Sequence, residues 1–306
     1  MQLAVLGNAN SWYCDALERA ADRRGHRCAR IDFPTLVARA GTAGSPLAAQ
    51  AADLAAMDAV IVRTMPPGSL EQVVYRMDAL ARLERAGVTV LNPAKAIECA
   101  VDKYLTTWRL EAAGLPVPAT VVCEDSLSAM DAFEALGRDV VVKPLFGAEG
   151  RGIVRVSDPD LALRTFRTLE RIQAVLYLQK FIAHDGFDVR VLLLDGRIVG
   201  AIRRRSADDF RTNVSRNGRA EPHDIAANEA DLALRAAAAT GSRFAGVDLL
   251  FDRPGNVYVI EVNAVPGWRA FERVTGIDVA ALVIDRLETT PRGKSDGSHR
   301  PSHAAR

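Results

Sequence analysis

Apolar positions recur along this chain with two different periods. Residues 2–6 form a short apolar run that predicts a buried strand, and 11–24 carry a helical period that Gly25 stops. Residues 28–31 and 58–63 predict two more strands. Between the second of these and a fourth strand at 88–91 lies an amphipathic helix over 69–86. Ser69 and Gln72 form a capping box at its start, and Gly87 follows its end. Strands alternating with helices predict a small parallel α/β domain over residues 1–92, closed by Asn92-Pro93.

Beyond Pro93 the order changes. A helix over 102–113 ends at Gly114 and Pro116, and strands follow at 140–146 and 152–156. Asp158-Pro159 opens a helix running to about Ile172, with proline at its first position, and 175–182 is again extended. Strands 189–194 and 197–205 flank Asp195-Gly196, a hairpin signal. An Ala-rich helix over 228–240 is stopped by Gly241. A second hairpin joins 245–251 to 257–263, and a last helix covers 278–289. From Pro291 the residues are Gly, Ser, Arg, His and Pro, with almost nothing to bury, which predicts a disordered tail over 291–306. His299 and His303 fall in that tail, and Pro301 between them argues against a helix that would bring them to one face. No internal repeat is visible.

Composition narrows the classes. At 306 residues the chain is long enough for two or three sub-domains, and 49% hydrophobic with 25% charged residues matches an ordinary soluble protein. A net charge of +1 gives no reason to expect nucleic acid or an acidic membrane as partner, and no apolar run approaches the ~20 residues that span a bilayer. The N-terminus lacks the basic flank of a signal peptide. Cys14, Cys28, Cys99 and Cys123 are far apart and form no CxxC pair, which favours reduced thiols in a cytoplasmic protein over a metal site. The first turn, Gly7-Asn8-Ala9-Asn10, lacks GxGxxG and so gives little support to a dinucleotide site.

The candidate chemistry is spread over the second half. Gly147, Gly150 and Gly152 crowd one loop between two strands, which excludes a P-loop or Rossmann turn, since both feed a helix. Such a loop frees backbone N–H groups for a bulky anion and suits a lid. Lys143 interrupts an apolar strand, where a buried ammonium calls for an anionic partner such as phosphate. Lys103 stands near a helix start, where the helix dipole disfavours a cation and a nearby phosphate would account for it. Glu261 and Asn263, two apart on one strand, share a face. Pairing Phe251 with Asn256 would place Asp248 opposite Val259, on that face and diagonal to Glu261. A one-residue shift would turn Asp248 away. In the favourable register, two carboxylates and an amide suit Mg²⁺ bound together with phosphates. Asp188 and Arg190 share a face of their strand, and Arg203-Arg204-Arg205 precedes Arg211-Thr212-Asn213. Arginine forks suit carboxylate or phosphate.

In their order along the chain these stretches resemble the ATP-grasp superfamily, and within it the RimK-type α-L-glutamate ligases. The resemblance runs over about residues 2–288. It rests on Asp102-Lys103, Val-Val-Lys143-Pro with the glycine loop, Gln179-Lys-Phe-Ile, Phe187-Asp188-Val-Arg190, Asp209-Phe-Arg211-Thr-Asn213, Ala245-Gly-Val-Asp248 and Glu261-Val-Asn263-Ala-Val-Pro-Gly267. The fold it implies is mixed α/β and α+β: a Rossmann-like pre-ATP-grasp domain over 1–92, a lid sub-domain over 93–182, and a C-terminal sub-domain with the metal site over 183–290. By carry-over, Lys103 and Lys143 contact the phosphates and the adenine region, Gly147, Gly150 and Gly152 cover the phosphates, and Lys180 and Phe181 form the hinge beside adenine. Asp188 falls near the adenosine, Arg211, Thr212 and Asn213 near the phosphates, and Asp248, Glu261 and Asn263 hold Mg²⁺, with Mn²⁺ the second candidate. Lys180 stands where relatives commonly carry a glutamate, and Val265 where a small polar residue often follows Asn-Ala. The segment Arg63-Thr-Met-Pro-Pro67 looks like the pre-domain face of the substrate site, as in RimK-like proteins linked to tetrahydromethanopterin cofactors.

The activity implied is an ATP-dependent carboxylate–amine ligase. ATP phosphorylates a carboxylate on a cofactor, peptide or protein, and the amine of L-glutamate attacks the acylphosphate. Arg205 and Arg211, with Lys143, are the groups expected to act on the transferring phosphoryl and the intermediate. Two alternatives stay open: the same activation with another amine, as in peptide, D-alanine or glutathione-type ligases, and a regulatory nucleotide-binding protein without catalysis. Relatives often form homo-oligomers.

Overall fold

The first alternation of strands and helices folds into a parallel sheet. Its elements are β1 (Gln2–Leu6), α1 (Trp12–Arg23), β2 (Arg27–Ile31), β3 (Leu36–Ala38), β4 (Leu47–Ala49), β5 (Ala52–Asp53), β6 (Ala59–Val62), α2 (Leu70–Arg85) and β7 (Thr89–Leu91). The order in the main sheet is β2-β1-β6-β7, every pair parallel. Ser11 caps α1, and Ser69 and Gln72 close the expected capping box on α2. The computed structural model describes residues 1–42, 44–50, 52–147, 151–206 and 219–290. It divides into two units, residues 1–95 with the chain from Asp278 onward, and residues 96–277. The small antiparallel meander β3–β4–β5 has no counterpart in the sequence reading, because strands this short and rich in alanine carry no usable period.

After α3 (Ala94–Val101), the second unit runs α4 (Lys103–Ala112), β8 (Thr120–Cys123), α5 (Ser126–Ala135), β9 (Val140–Lys143), β10 (Val154–Val156), α6 (Pro159–Arg171) and β11 (Leu176–Lys180). These strands form an antiparallel sheet in the order β10-β9-β11-β8. Phe133 of α5 and Phe166 of α6 pack on one face, against Val140, Val142, Leu176 and Leu178. Strand alternation then gives Val141, Lys143, Tyr177 and Gln179 to the opposite face.

A five-stranded sheet completes this unit. It is built from β12 (Phe187–Leu194), β13 (Arg197–Arg205), β14 (Arg219–Pro222), β15 (Phe244–Phe251) and β16 (Val257–Asn263), in the order β14-β13-β12-β15-β16. α7 (Ala227–Thr240) covers one face together with α4, burying Leu110, Ala233 and Ala237 against Val189, Val247, Leu249 and Val259. The β12–β13 turn is the one predicted: Asp195 and Gly196 have φ of 47° and 69°, the left-handed pair that an Asp-Gly turn requires. α8 (Arg269–Thr275), also unforeseen, follows β16.

The β15–β16 register differs from the one considered above. Phe251 pairs with Val257, not Asn256, which alone would turn Asp248 away from Glu261. A bulge at Asp248/Leu249 inserts Ile260, so that Leu249 still faces Val259 on the core side while Asp248 comes directly opposite Glu261. The bulge, not a regular ladder, brings the two carboxylates together.

The last helix, α9 (Val279–Thr289), was expected in the 183–290 sub-domain; it belongs instead to the N-terminal unit. Val279, Ala280, Val283, Ile284 and Leu287 are buried there. Asp278, Asp285 and Glu288 meet Arg23, Arg24 and His26 at the C-terminal end of α1, where the helix dipole favours cations. Arg24, then His26, holds the Glu288 carboxyl down at about 2. Exposed pairs of this kind are screened by solvent and contribute little, so the apolar stripe carries the docking. The predicted tail over 291–306, with His299 and His303, lies outside the described residues. No helix among the described residues is long and apolar enough to cross a membrane.

Phe166 is fully buried between α6 and its sheet. Phe166→Ala is expected to cost about 3–5 kcal/mol, read as an earlier urea transition of the unit that carries the cleft described next.

Candidate active site

The helix-free faces of the two sheets in residues 96–277 line a cleft of about 1100 Å³, counting its open mouth. The first sheet and α4 supply cations. Lys143 ends β9, and its Nζ donates to Gln179 Oε1 at 2.6 Å and lies 5.9 Å from the centre of the Tyr177 ring. Lys103 opens α4 behind the capping carboxylate of Asp102, and its Nζ donates to Gly147 O at 2.8 Å, tying the glycine loop to the helix. Burial lowers the pKa of both ammonium groups. That of Lys143 falls to about 8, with Lys103 pushing the same way and Glu261 and Asp248 opposing. The cleft therefore holds two lysines whose charges are under-compensated, the condition in which a polyanion gains most from binding.

The second sheet supplies carboxylates. Asp248 is 2% exposed and receives Arg190 in a two-pronged contact, Nε to Oδ1 at 2.7 Å and Nη2 to Oδ2 at 2.6 Å. Arg204 Nη2 lies 3.0 Å from the same Oδ2, and its Nε donates to Asp188 Oδ1 at 2.7 Å. The result is a continuous chain, Asp188–Arg204–Asp248–Arg190. Burial alone would raise the Asp248 pKa; the two guanidinium groups outweigh it and hold the carboxyl below its ordinary value. Among the described residues no ion pair engages Glu261, which lines the cleft directly opposite Asp248.

Of the residues singled out from the sequence, Lys103, Lys143, Gly147 and Glu261 line the cleft, as do Lys180, Phe181, Asp188 and Asp248. The backbone N–H groups of Lys180 and Phe181 are spent on Ala119 O and Asp139 O, which fixes that segment at the cleft edge. Asn263 lies two residue pairs beyond Asp248–Glu261, and its Nδ2 is 3.5 Å from Gly246 O. Gly152 has φ of 72° and flanks the loop without lining the cleft. Gly150, Arg211, Thr212 and Asn213 lie outside the described residues.

Arg205 is not brought to the site. It pairs with Phe187 across β12–β13 and so takes the face opposite to Arg204. There it meets Glu221 at 3.3 Å and stands 5.1 Å from the centre of the Phe187 ring. Period-two alternation in Arg203-Arg204-Arg205 allows only the middle residue to join Asp188 and Asp248 once the pairing with β12 assigns the faces. Tyr177 was also missed, and Gln179, quoted within the stretch Gln179-Lys-Phe-Ile, was given no role. A glutamine in the apolar run Leu-Tyr-Leu-Gln, on the parity that pairs with Lys143, was the clue. Val141, Ile153, Leu250 and Ile260 give the cleft an apolar wall, the last through the bulge.

Among the described residues no group of three His, Cys, Asp or Glu side chains could hold a metal. The donors present are the hard oxygens of Asp248 and Glu261, with the Asn263 amide nearby. Such a set fits a magnesium-type ion that shares its shell with phosphate oxygens, and does not form a protein-only cage.

The lowered Lys143 pKa has a signed consequence. Between about 8 and its ordinary 10.5 the folded protein has lost a proton that the unfolded chain keeps, so stability from this group rises with pH in that window. Thermal melts of ligand-free wild type and Lys143→Met are expected to converge on, or cross in favour of, wild type from pH 8 to 10.5. A pH-independent difference would contradict the buried charge.

Comparison with known proteins agrees with this geometry. Residues 1–97 match the RimK PreATP-grasp domain, and 100–287 match the RimK-like ATP-grasp domain. The tetrahydromethanopterin:alpha-L-glutamate ligase of Methanosarcina acetivorans is 34% identical over 77% of this chain and 81% of its own length. A Xanthomonas oryzae protein named "Probable alpha-L-glutamate ligase" is 32% identical over 97% of this chain and 100% of its own. The ATP-grasp ligase PsnB, solved with a phosphomimetic variant of its minimal precursor, Mg and ADP, superposes with a TM-score of 0.74 at 25% identity. The superposition covers 94% of this chain and 97% of that one. The ATP-grasp domain is an ATP-binding fold, and glutamate ligases, as these relatives are named, join carbon to nitrogen. Matched through both halves of their architecture, this chain belongs to the RimK-type ATP-grasp ligases.

Proposed function

We propose that the protein joins the amine of L-glutamate to a carboxylate, using Mg²⁺-ATP and passing through an acylphosphate. The observation that carries the reaction type is the facing of Lys103 and Lys143 with Asp248 and Glu261 across one cleft in a chain of this family. The choice of glutamate is supported by relatives named as glutamate ligases over most of both lengths. The first of these names tetrahydromethanopterin as its acceptor and the second names none, and the acceptor class here is a cofactor, peptide or protein bearing a free carboxylate. The ATP requirement and the four unbridged cysteines support a cytoplasmic setting.

The protein's own work in this scheme is positioning and charge neutralisation. Lys143 and Lys103 hold the phosphates, with Arg211, Thr212 and Asn213 assigned to the same task. Val141, Ile153, Leu250 and Ile260 receive the base, beside the backbone of Lys180 and Phe181, with Asp188 on the sugar side. Lys143, and by assignment Arg211, stabilise the phosphoryl group in transit; Arg205 takes no part. The loop bounded by Gly147 and Gly152 closes over the phosphates and keeps water from the acylphosphate. Asp248, Glu261 and Asn263 are the residues that would hold Mg²⁺. When bound, it supplies charge neutralisation to the nucleotide's phosphate oxygens.

Mass spectrometry of the protein incubated with Mg²⁺-ATP, L-glutamate and fractionated host extract is expected to show an acceptor heavier by one or more glutamate residues, absent without ATP. ADP formation with another amine and none with glutamate would overturn the choice of amine. Two carboxylate variants separate site from scaffold. Glu261→Ala is expected to lose at least about 10²-fold in turnover with an unchanged melt. Asp248→Asn is expected to lose stability as well, about 3–5 kcal/mol, because Arg190 and Arg204 lose their anion in a buried setting. Full activity in Glu261→Ala would remove it from the site.

A further inference from the structure

Gln179 is 4% exposed, in the middle of a sheet, and is given no role by the reaction outlined above. Its contacts are fully determined. The Lys143 ammonium can only donate, so the acceptor 2.6 Å away must be the amide oxygen, Oε1. The amide nitrogen, Nε2, then donates to Thr120 Oγ1 at 3.0 Å and to Tyr177 OH at 3.2 Å. Thr120 spends its own proton on Pro118 O at 2.8 Å, so its lone pairs are what Gln179 meets. The phenol of Tyr177 accepts from Gln179 and shares a 2.7 Å hydrogen bond with Thr107 Oγ1, in which either hydroxyl can donate. Thr107 sits one turn along α4 from Lys103. One amide thus fixes Lys143 from β11 and joins it to β8 and, through Tyr177, to the helix that carries the second lysine.

We propose that Gln179 is a positioning residue that fixes the Lys143 ammonium by a neutral acceptor, leaving its positive charge available to the phosphates of a bound nucleotide. A carboxylate could hold the ammonium with the same geometry, but it would cancel the charge. An aliphatic side chain would preserve the charge and release the ammonium. Glutamine alone among side chains of this length does neither. The groups acting on Lys143 fit this reading: Lys103 from α4 repels it, Glu261 and Asp248 face it from the other sheet, and the Tyr177 ring lies beneath. The nearest hydrogen-bonding group is the uncharged one. The proposal rests on the nucleotide reading of the cleft.

The test is a double-mutant cycle read by calorimetric titration of ADP with Mg²⁺, using wild type, Gln179→Glu, Lys143→Met and the double variant. Gln179→Glu is expected to bind ADP at least tenfold more weakly than wild type with an unchanged melting temperature. Its KM for ATP should rise by at least the factor by which kcat falls. In the Lys143→Met background, Gln179→Glu is expected to add less than twofold. Equal losses in both backgrounds would mean that Gln179 serves packing alone, and undiminished ADP affinity in Gln179→Glu would overturn the proposal outright. Gln179→Met, which keeps the size and frees the ammonium, is expected to weaken ADP only where Lys143 is present, and it decides the matter should the glutamate variant fail to fold. Absence of ADP and ATP binding by wild type would instead overturn the nucleotide reading, and this inference with it.

Discussion

Two carboxylates facing each other across adjacent strands are the constraint around which the catalytic unit is arranged. Asp248 and Glu261 are directly opposed, a placement in which like charges ordinarily destabilise a sheet. Two unit charges about 4 Å apart near a protein surface interact by roughly 4 kcal/mol, enough to be felt against the stability of a whole domain. The repulsion is met from both sides. Arg190 and Arg204 engage Asp248 within its own sheet, and Lys143 acts on Glu261 from the other wall of the cleft. The division is unequal. Asp248 is engaged by two hydrogen-bonded guanidinium groups, whereas among the described residues no ion pair engages Glu261, which faces the cleft. The two carboxylates that the resemblance treats as equivalent ligands are thus physically different: one is largely a structural anion, the other largely a free one.

That asymmetry explains the construction of the sheet beneath. A regular ladder from the Phe251–Val257 pair would have sent Glu261 to the helix-covered face with Val257 and Val259, where a carboxylate has no place among Val247, Leu249 and Ala237. The extra residue at the bulge solves two problems at once. It keeps Val259 and Val262 in the core, and it turns Glu261 to Asp248 while adding Ile260 to the apolar wall of the cleft. The two facing carboxylates and part of the apolar wall of the cleft therefore share one backbone irregularity.

Much of this was legible in the sequence, because period and punctuation are local. Asp195-Gly196 fixed a turn, the Ser69–Gln72 capping box fixed a helix start, and Lys143 and Glu261 stood out as charges in apolar strands. What escaped depends on pairing. Nothing local in Val257–Asn263 announces a bulge, since Ile260 continues the apolar run. Arg205 was preferred over Arg204 because three adjacent arginines look alike until a partner strand assigns faces. The last helix was assigned to the neighbouring sequence rather than to α1, because docking through contacts 255 to 264 residues apart leaves no mark on either period. Short alanine-rich strands and α8 were missed for want of enough residues to show a period.

The neutral amide at Gln179 belongs to the same electrostatic logic as the unequal carboxylates. A cleft meant for a polyanion and a cation together must present both signs without letting them annihilate. In the second sheet, arginines quench one acid and spare the other. In the first, the polar neighbour of Lys143 is uncharged, and the neighbour of Lys103 is a backbone carbonyl, Gly147 O, again a neutral acceptor. Both lysines are therefore held by dipoles. A dipole can orient an ammonium at hydrogen-bond distance while subtracting no unit of charge, and burial then makes each ammonium costly until an anion arrives. The same burial that lowers the Lys143 pKa to about 8 is what a phosphate would relieve, so the cost of the buried ammonium and the fit of the cleft to a polyanion have one origin.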